Sequence, residues 1–250
     1  MGRRIPVTVL ILWSQTVSLV LALIAALVFP AERVTRADIG WGAFAGAAVI
    51  VGVYFLYKGL AQGKMAVVSP VAALVGAILP MGVGIAMGDR PLPVEWIGIA
   101  LALPAIWLIA AVDDLQNLNG LMHGAIAGMG FGAFFAGIAQ TGDESGFWPL
   151  VAARITLVAV VGVVAHRQGL GPPPRGARLA VAAVGAGDML ANVFVLLAFR
   201  SGMLTLVAVL TSLYPAITVL LAVWILSEPI GLRQRLGLLL ALLAVALIAV

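Results

Sequence analysis

The chain has 250 residues, 63% of them apolar and 10% charged, with a formal net charge of +4 and no cysteine. No water-soluble domain of this size carries so large an apolar fraction, so the composition identifies an integral membrane protein. The missing cysteines exclude disulfides, thiol nucleophiles and thiolate metal sites, and the excess of arginine belongs to loops flanking spans, so no nucleic-acid partner is expected.

In chain order, apolar segments fall at 6–29, 39–61, 65–87, 94–113, 119–140, 146–166, 178–201, 203–226 and 232–250. A helix of about 20 apolar residues crosses a hydrocarbon core, and these runs are far too long for barrel strands. The expectation is an all-α polytopic membrane protein with nine transmembrane helices. The breaks, among them PAERVTRAD, AQGK, GDRPLP and RSG, are short enough to make consecutive helices antiparallel.

The opening stretch MGRRIPVTVLILWSQTVSLVLALIAALVFPAE has the basic start and apolar run of a secretory signal peptide. Internal repetition favours an ordinary membrane helix instead. Sliding the chain against itself by 139 residues lays Gly63 on Gly202, Val68 on Val207, Ala77 on Ala216, Ile78 on Ile217 and Gly98 on Gly237, and Asp89 meets Glu228. The gaps coincide too, so 6–29 pairs with 146–166, 39–61 with 178–201, 65–87 with 203–226 and 94–113 with 232–250. Only 119–140 has no partner. This spacing implies a ten-helix (5+5) plan: a first repeat at 1–113 with four helices and its first helix missing, and a second at 119–250 with five. An odd number of spans per repeat inverts one half relative to the other, as in many secondary transporters. Arg3 and Arg4 then look like the loop after a lost first helix, and the DNA upstream of Met1 decides between two readings: an in-frame apolar segment makes the start misassigned, and an immediate stop codon makes the nine-helix chain real.

The segment GMLTLVAVLTSLYPAITVLLAVWILSEPIGLRQRLGLLLALLAVALI resembles the EamA type of the drug/metabolite transporter (DMT) superfamily, with its proline-bearing helix, acidic loop and glycine-containing last helix. The first-half copy, GKMAVVSPVAALVGAILPMGVGIAMGDRPLPVEWIGIALALPAIWLI, is weaker, with Gly76 where the second half has Pro215 and prolines at Pro70 and Pro80. The resemblance implies a secondary transporter of small metabolites or drug-like solutes, generally an exporter, with a central cavity open alternately to each side. The expected setting is the cell (plasma) membrane. The expected partners are the lipid bilayer, a small-molecule substrate and a proton as coupling ion, with no cofactor and a monomer or homodimer as the assembly.

Arg154 is the costliest residue, because an arginine near a helix centre is disfavoured by at least about 2.5 kcal/mol. A rise of about 1.5 Å per residue puts it roughly 10 Å below one membrane surface, and Asp188 on the next helix roughly 15 Å below the same surface. One reading is a structural ion pair or a snorkelling arginine. The other is a binding or coupling site, in which Arg154 grips a substrate carboxylate or phosphate and Asp188 exchanges the proton that a guanidinium cannot. Asn192 lies one turn beyond Asp188. Gln15, the repeat counterpart of Arg154, has Ser14 and Ser18 nearby and is read as bonding a neighbouring helix.

Tyr54 and Tyr57, with Lys58 at the helix end, are divided between interface belt and cavity lining. Thr211, Ser212 and Tyr214 precede Pro215 in a segment read either as a simple kink or as a broken helix lining the cavity. Gly124, Gly128 and Gly132 recur every fourth residue and read as a close-packing surface; with Gly130 they mimic a dinucleotide loop, but no strand precedes them. Asp89 and Glu228 are read as structural loop acids. His123 and His166 lie far apart, so no metal site is expected.

Two other classes stay open. GAGD at Gly185–Asp188 matches the GxGD signature of intramembrane aspartyl proteases, which need a second carboxylate, and the other acids lie in breaks or at helix ends. A non-transporting membrane partner is the third class. Orientation is divided as well. Arg3, Arg4, Lys64, Arg167, Arg175, Arg178, Arg233 and Arg235 share one side against Arg33, Arg36, Arg90 and Arg200 on the other, which places the first side in the cytoplasm by charge. The family's usual topology implies the reverse.

Overall fold

The computed structural model describes residues 6–61, 65–109, 118–214, 216–217, 220 and 231–248, with backbone alone at 60–61, 65–67, 70 and 118–119. Expectations for Arg3, Arg4, Gly63, Lys64, Pro215 and Glu228, and for the helical stretch 221–226, lie outside the described residues. Within them the chain is all helical: α1 Val7–Val28, α2 Arg36–Ala61, α3 Met65–Met87, α4 Pro93–Ile109, α5 Leu118–Ala139, α6 Trp148–Arg167, α7 Arg178–Ser201, α8 Leu204–Ser212 and α9 Leu232–Ile248. Five of them, α1, α2, α5, α6 and α7, are each long and apolar enough to cross a membrane.

Helix ends follow local chemistry. α2 starts three residues before its apolar run, because Thr35 and Asp38 form a capping box. Thr35 donates from its N–H and its hydroxyl to Asp38 Oδ2 at 2.8 and 2.6 Å, and the Asp38 N–H returns to Thr35 Oγ1 at 3.2 Å. α6 starts later than its apolar run because Asp143–Ser145 forms a 3-10 turn, followed by Gly146 at φ 55°, a left-handed conformation that suits glycine. α8 closes at Ser212, where the Leu213 N–H turns back onto the Leu210 carbonyl at 3.2 Å.

The helices form two compact units. The first takes the chain up to Ala47 together with Gly137–Arg200, and the second takes Ala48–Ala136 and the chain from Ser201 onward. Each unit therefore draws helices from both halves of the sequence, with α1 packed on α6 in the first and α3 on α8 and α4 on α9 in the second.

In the first unit α1 lies against α6 in opposite direction: Phe29 meets Phe147 edge to face at 5.9 Å, and Leu12 lies beside Gly162. Small residues Ser14, Ser18, Ala22 and Ala26 recur every fourth position along the buried side of α1, so the backbones approach closely. Gly46 of α2 sits against the Ala153 carbonyl of α6, and Gly185 of α7 sits against the Ser14 carbonyl of α1. Gly185 is 139 residues after Gly46, and Ala153 is 139 after Ser14. The two contacts are therefore one contact made twice, the glycine coming from one half of the sequence in the first and from the other half in the second.

One end of this unit is tied by Arg200, whose Nη2 donates to the Gly146 carbonyl at 2.7 Å, the Ser145 hydroxyl at 3.2 Å and the Gly142 carbonyl at 3.3 Å. Asp38 Oδ1 accepts the Gly142 N–H at 2.8 Å, so the α5–α6 turn is held from both α2 and α7.

The second unit has an apolar core. Ala73, Ile99, Ala102, Ile106, Val209, Leu213, Leu238, Ala241 and Ala244 are buried together where α3 packs on α8 and α4 on α9. A Cβ on Gly98 would meet Ile248 Cγ1 at 2.7 Å, and one on its repeat mate Gly237 would meet the Ile109 backbone nitrogen at 2.7 Å. Residues near the start of α4 thus touch the end of α9 and the reverse, which makes the pair antiparallel. Asp89, just after α3, caps α8 from outside: its Oδ2 accepts the Thr205 N–H at 2.8 Å, while the Thr205 hydroxyl donates to the Met81 carbonyl at 3.3 Å. On the other side of α3, Gly124, Gly128 and Gly132 of α5 pack against Val71, Val75 and Leu79, and Gly130 meets the Gly52 backbone of α2. Its two glycine faces let α5 lie tightly between α2 and α3.

Candidate functional site

Small residues on α1 and α7 bring three helices of the first unit together at Arg154. Pro149 occupies the first turn of α6, where its missing N–H costs no helix bond. Arg154 follows in the next turn among the buried Ala152, Ala153 and Leu157, and is itself only 2% exposed. Snorkelling to an interface is thus not how this arginine is accommodated. Its Nη2 lies 2.9 Å from Asp188 Oδ2, and the Asp188 side chain keeps 33% of its surface exposed.

Three groups meet on that one carboxylate oxygen, two by hydrogen bonds and Arg154 by charge. Besides Arg154, Gln15 Nε2 donates to Asp188 Oδ2 at 3.2 Å and the Ser18 hydroxyl donates at 3.1 Å. Asn192 Nδ2 donates to the Asp188 main-chain carbonyl at 2.7 Å, and its contact to Oδ1, at 3.4 Å, is long. A carboxylate, an acceptor with about four lone-pair positions, suits such a crowd of donors. The Arg154 contact is close but lacks hydrogen-bond alignment, so Nε and Nη2 of the guanidinium both lack an aligned acceptor among the described residues, as Gln15 Oε1 lacks a donor.

Arg154 and Gln15 stand 139 residues apart in the sequence, on helices that pack against each other, and both reach Asp188 Oδ2. Asp188 has no acidic mate; the residue 139 positions earlier is Val49. Symmetry is broken at one cation and one anion, and the two meet. The sequence put Arg154 and Asp188 within reach of each other, whereas nothing in it marked Ser18 as a donor to the same oxygen.

The other sequence candidates are placed elsewhere. Tyr54 is exposed under the Lys58 ammonium, 5.7 Å from its ring centroid, and Tyr57 is half-buried nearby on α2. Thr211 is half-buried on α8, and Tyr214 just beyond it is half exposed. These four belong to the second unit. His123 is buried with its ring 5.9 Å from that of Phe55, and no cluster of metal-ligating side chains occurs among the described residues. Gly185 in the GAGD sequence is accounted for by its contact with the Ser14 carbonyl, and every contact described for Asp188 is with a hydrogen-bond donor.

The apolar spanning helices and their helix-on-helix packing define a multi-pass membrane protein. The chain belongs to the EamA-like transporter family, whose model matches residues 118–250. A solved structure titled only "Crystal structure of protein" has the same fold, with a TM-score of 0.74 and 16% identity over 99% of this chain and 90% of that one. No curated protein matches the chain.

Proposed function

We propose that the protein is a secondary transporter of the cell membrane that exports a small metabolite or drug-like solute by alternating access, its two inverted repeats exchanging conformations through each cycle. In this reading 1–113 and 119–250 are the two repeats, and proton coupling runs through Asp188. Family membership supports the solute-transport class. The observation that carries the site is the buried Arg154 held by a carboxylate that three donors share. An ionisable pair inside a span is expensive and is retained where it binds or couples. Tyr54, Tyr57, Thr211 and Tyr214 are proposed as further lining of the solute path.

The protein acts without covalent chemistry in this reading. Proteolysis by an aspartyl mechanism needs two carboxylates sharing a proton, whereas the contacts of Asp188 are with donors. Reconstitution of the full chain into vesicles tests the proposal, with labelled organic anions, cations and neutral metabolites as solutes. Flux above that of empty vesicles is expected, and Asp188→Asn is expected to change its rate or pH dependence. If flux and pH response are both untouched by Asp188→Asn, Asp188 has no coupling role. Peptide cleavage without solute flux would instead establish the protease class.

A further inference from the structure

The guanidinium of Arg154 has one edge to spare. Nε and Nη2 form the side of the fork that grips a carboxylate or phosphate through two parallel hydrogen bonds, and these two atoms are the ones without an aligned acceptor. Asp188 reaches only the Nη2 end, through a single oxygen. Beside it, Gln15 Oε1 is an unfilled acceptor on the residue whose Nε2 binds that same oxygen. These three atoms belong to side chains on α1 and α6, the helices that pack as repeat mates.

Charge decides what can occupy the fork. α1 carries no charged residue, α6 has only His166 and Arg167 at its far end besides Arg154, and α7 has Arg178 and Arg200 at its two ends besides Asp188. Among the described residues, Arg154 is thus the one charge facing Asp188 from the helices packed around it. An added anion with Asp188 ionised would set two negative charges on the one buried guanidinium, an arrangement disfavoured inside a span. If Asp188 instead takes up a proton, the added anion replaces it as the counter-charge and the site stays neutral.

The geometry points to Arg154 as the binding site for a monovalent oxyanion, a carboxylate or a phosphate monoanion, taken up together with one proton on Asp188. This rests on the transporter reading and deepens it: Asp188 is a tethered competitor for the fork, so anion and proton move in the same direction, one for one, without net charge. The proton adds to Asp188 Oδ, the contact between Arg154 and Asp188 opens, and Nε and Nη2 close on the two oxygens of the solute. A hydroxyl or amino group on the solute would find Gln15 Oε1. Because Val49 and Gln15 stand at the mates of Asp188 and Arg154, the repeat does not build a second such site.

The test uses the full chain in detergent, with dimethyl phosphate as the probe that stays a monoanion across the pH range, lactate as a second probe used only above its own ionisation, and chloride as control. Anion affinity should weaken about tenfold per pH unit once Asp188 loses its proton. Addition of either probe in weak buffer should take up one proton per anion bound. Asp188→Asn should bind both probes with an affinity flat in pH and equal to that of the wild type in acid, and Arg154→Gln should bind neither. Should either variant fail to fold, the wild-type proton count still decides, and anion binding without proton uptake would overturn the proposal. Binding unchanged in Arg154→Gln would overturn it as well. Flux confined to neutral or cationic solutes would leave the transporter reading standing and remove the anion site. Coupled binding of probe and proton without flux of any solute would do the opposite.

Discussion

In the pair α4 and α9, the repeat mates Gly98 and Gly237 occupy equivalent places and do equivalent work, each bringing its helix onto the partner's backbone or inner side chains across an apolar seam. In the pair α1 and α6, the mates Gln15 and Arg154 also occupy equivalent places, but one is neutral, the other is charged, and both converge on a carboxylate that has no counterpart. The packing geometry is shared and the chemistry is not. Symmetric positions in α4 and α9 are explained by packing alone, whereas the asymmetric ones in α1 and α6 converge on Asp188 of α7, with which Arg154 makes an ion pair that packing does not require. Ion pairs of this kind are often no more stabilising than well-packed apolar residues.

The largest effect is expected from Asp188→Ala, which strips Arg154 of its counter-charge. Breaking a buried pair from one side costs about 3–5 kcal/mol, and the lower end applies because a third of the Asp188 side chain stays exposed. Thermal unfolding in detergent measures this. Replacing both members with Arg154→Met and Asp188→Leu should recover most of the loss, and failure to recover would mean that the pair stabilises more than its apolar replacement. Next come Gly98→Leu and Gly237→Leu, each expected to cost about 1–3 kcal/mol through overpacking. The comparison sharpens with alanine: Gly237→Ala should cost more than Gly98→Ala, since its Cβ meets a backbone nitrogen at 2.7 Å, whereas that of Gly98 meets an isoleucine side chain at 2.7 Å and a backbone oxygen only at 3.0 Å. Equal melting temperatures for the two alanine variants would contradict that difference. Asp89→Ala removes the cap from α8 and should cost about 1 kcal/mol. The smallest effect is expected for Ser18→Ala, about 0.5–1 kcal/mol for one hydrogen bond among several to Asp188.

Much of this architecture was legible because repetition leaves a linear trace. The 139-residue offset identifies which helices are mates, and short breaks make neighbours antiparallel. Helix ends were less legible wherever a polar cap lies outside the apolar run, as at Thr35–Asp38, or where a turn such as Asp143–Ser145 takes the first residues of a segment. At the site, burial cost alone drew attention to Arg154, and depth along consecutive helices drew in Asp188. Ser18 was not legible as their partner. A serine in an apolar helix has many structural uses, and only the approach of α1 to α7 at Gly185 brings its hydroxyl to the carboxylate.

The twin contacts of Gly46 with Ala153 and of Gly185 with Ser14 carry a mechanical consequence. At both places a residue without a side chain rests on a carbonyl of the neighbouring helix, and beside Gly46 the contact continues one turn away, where Gly42 meets the Pro149 carbonyl and the Ala152 side chain. A small change of crossing angle at these glycines has no rotamer of theirs to flip. Because the two points are related by the repeat, tilting α7 on α1 and tilting α2 on α6 are the same movement performed on matched bearings.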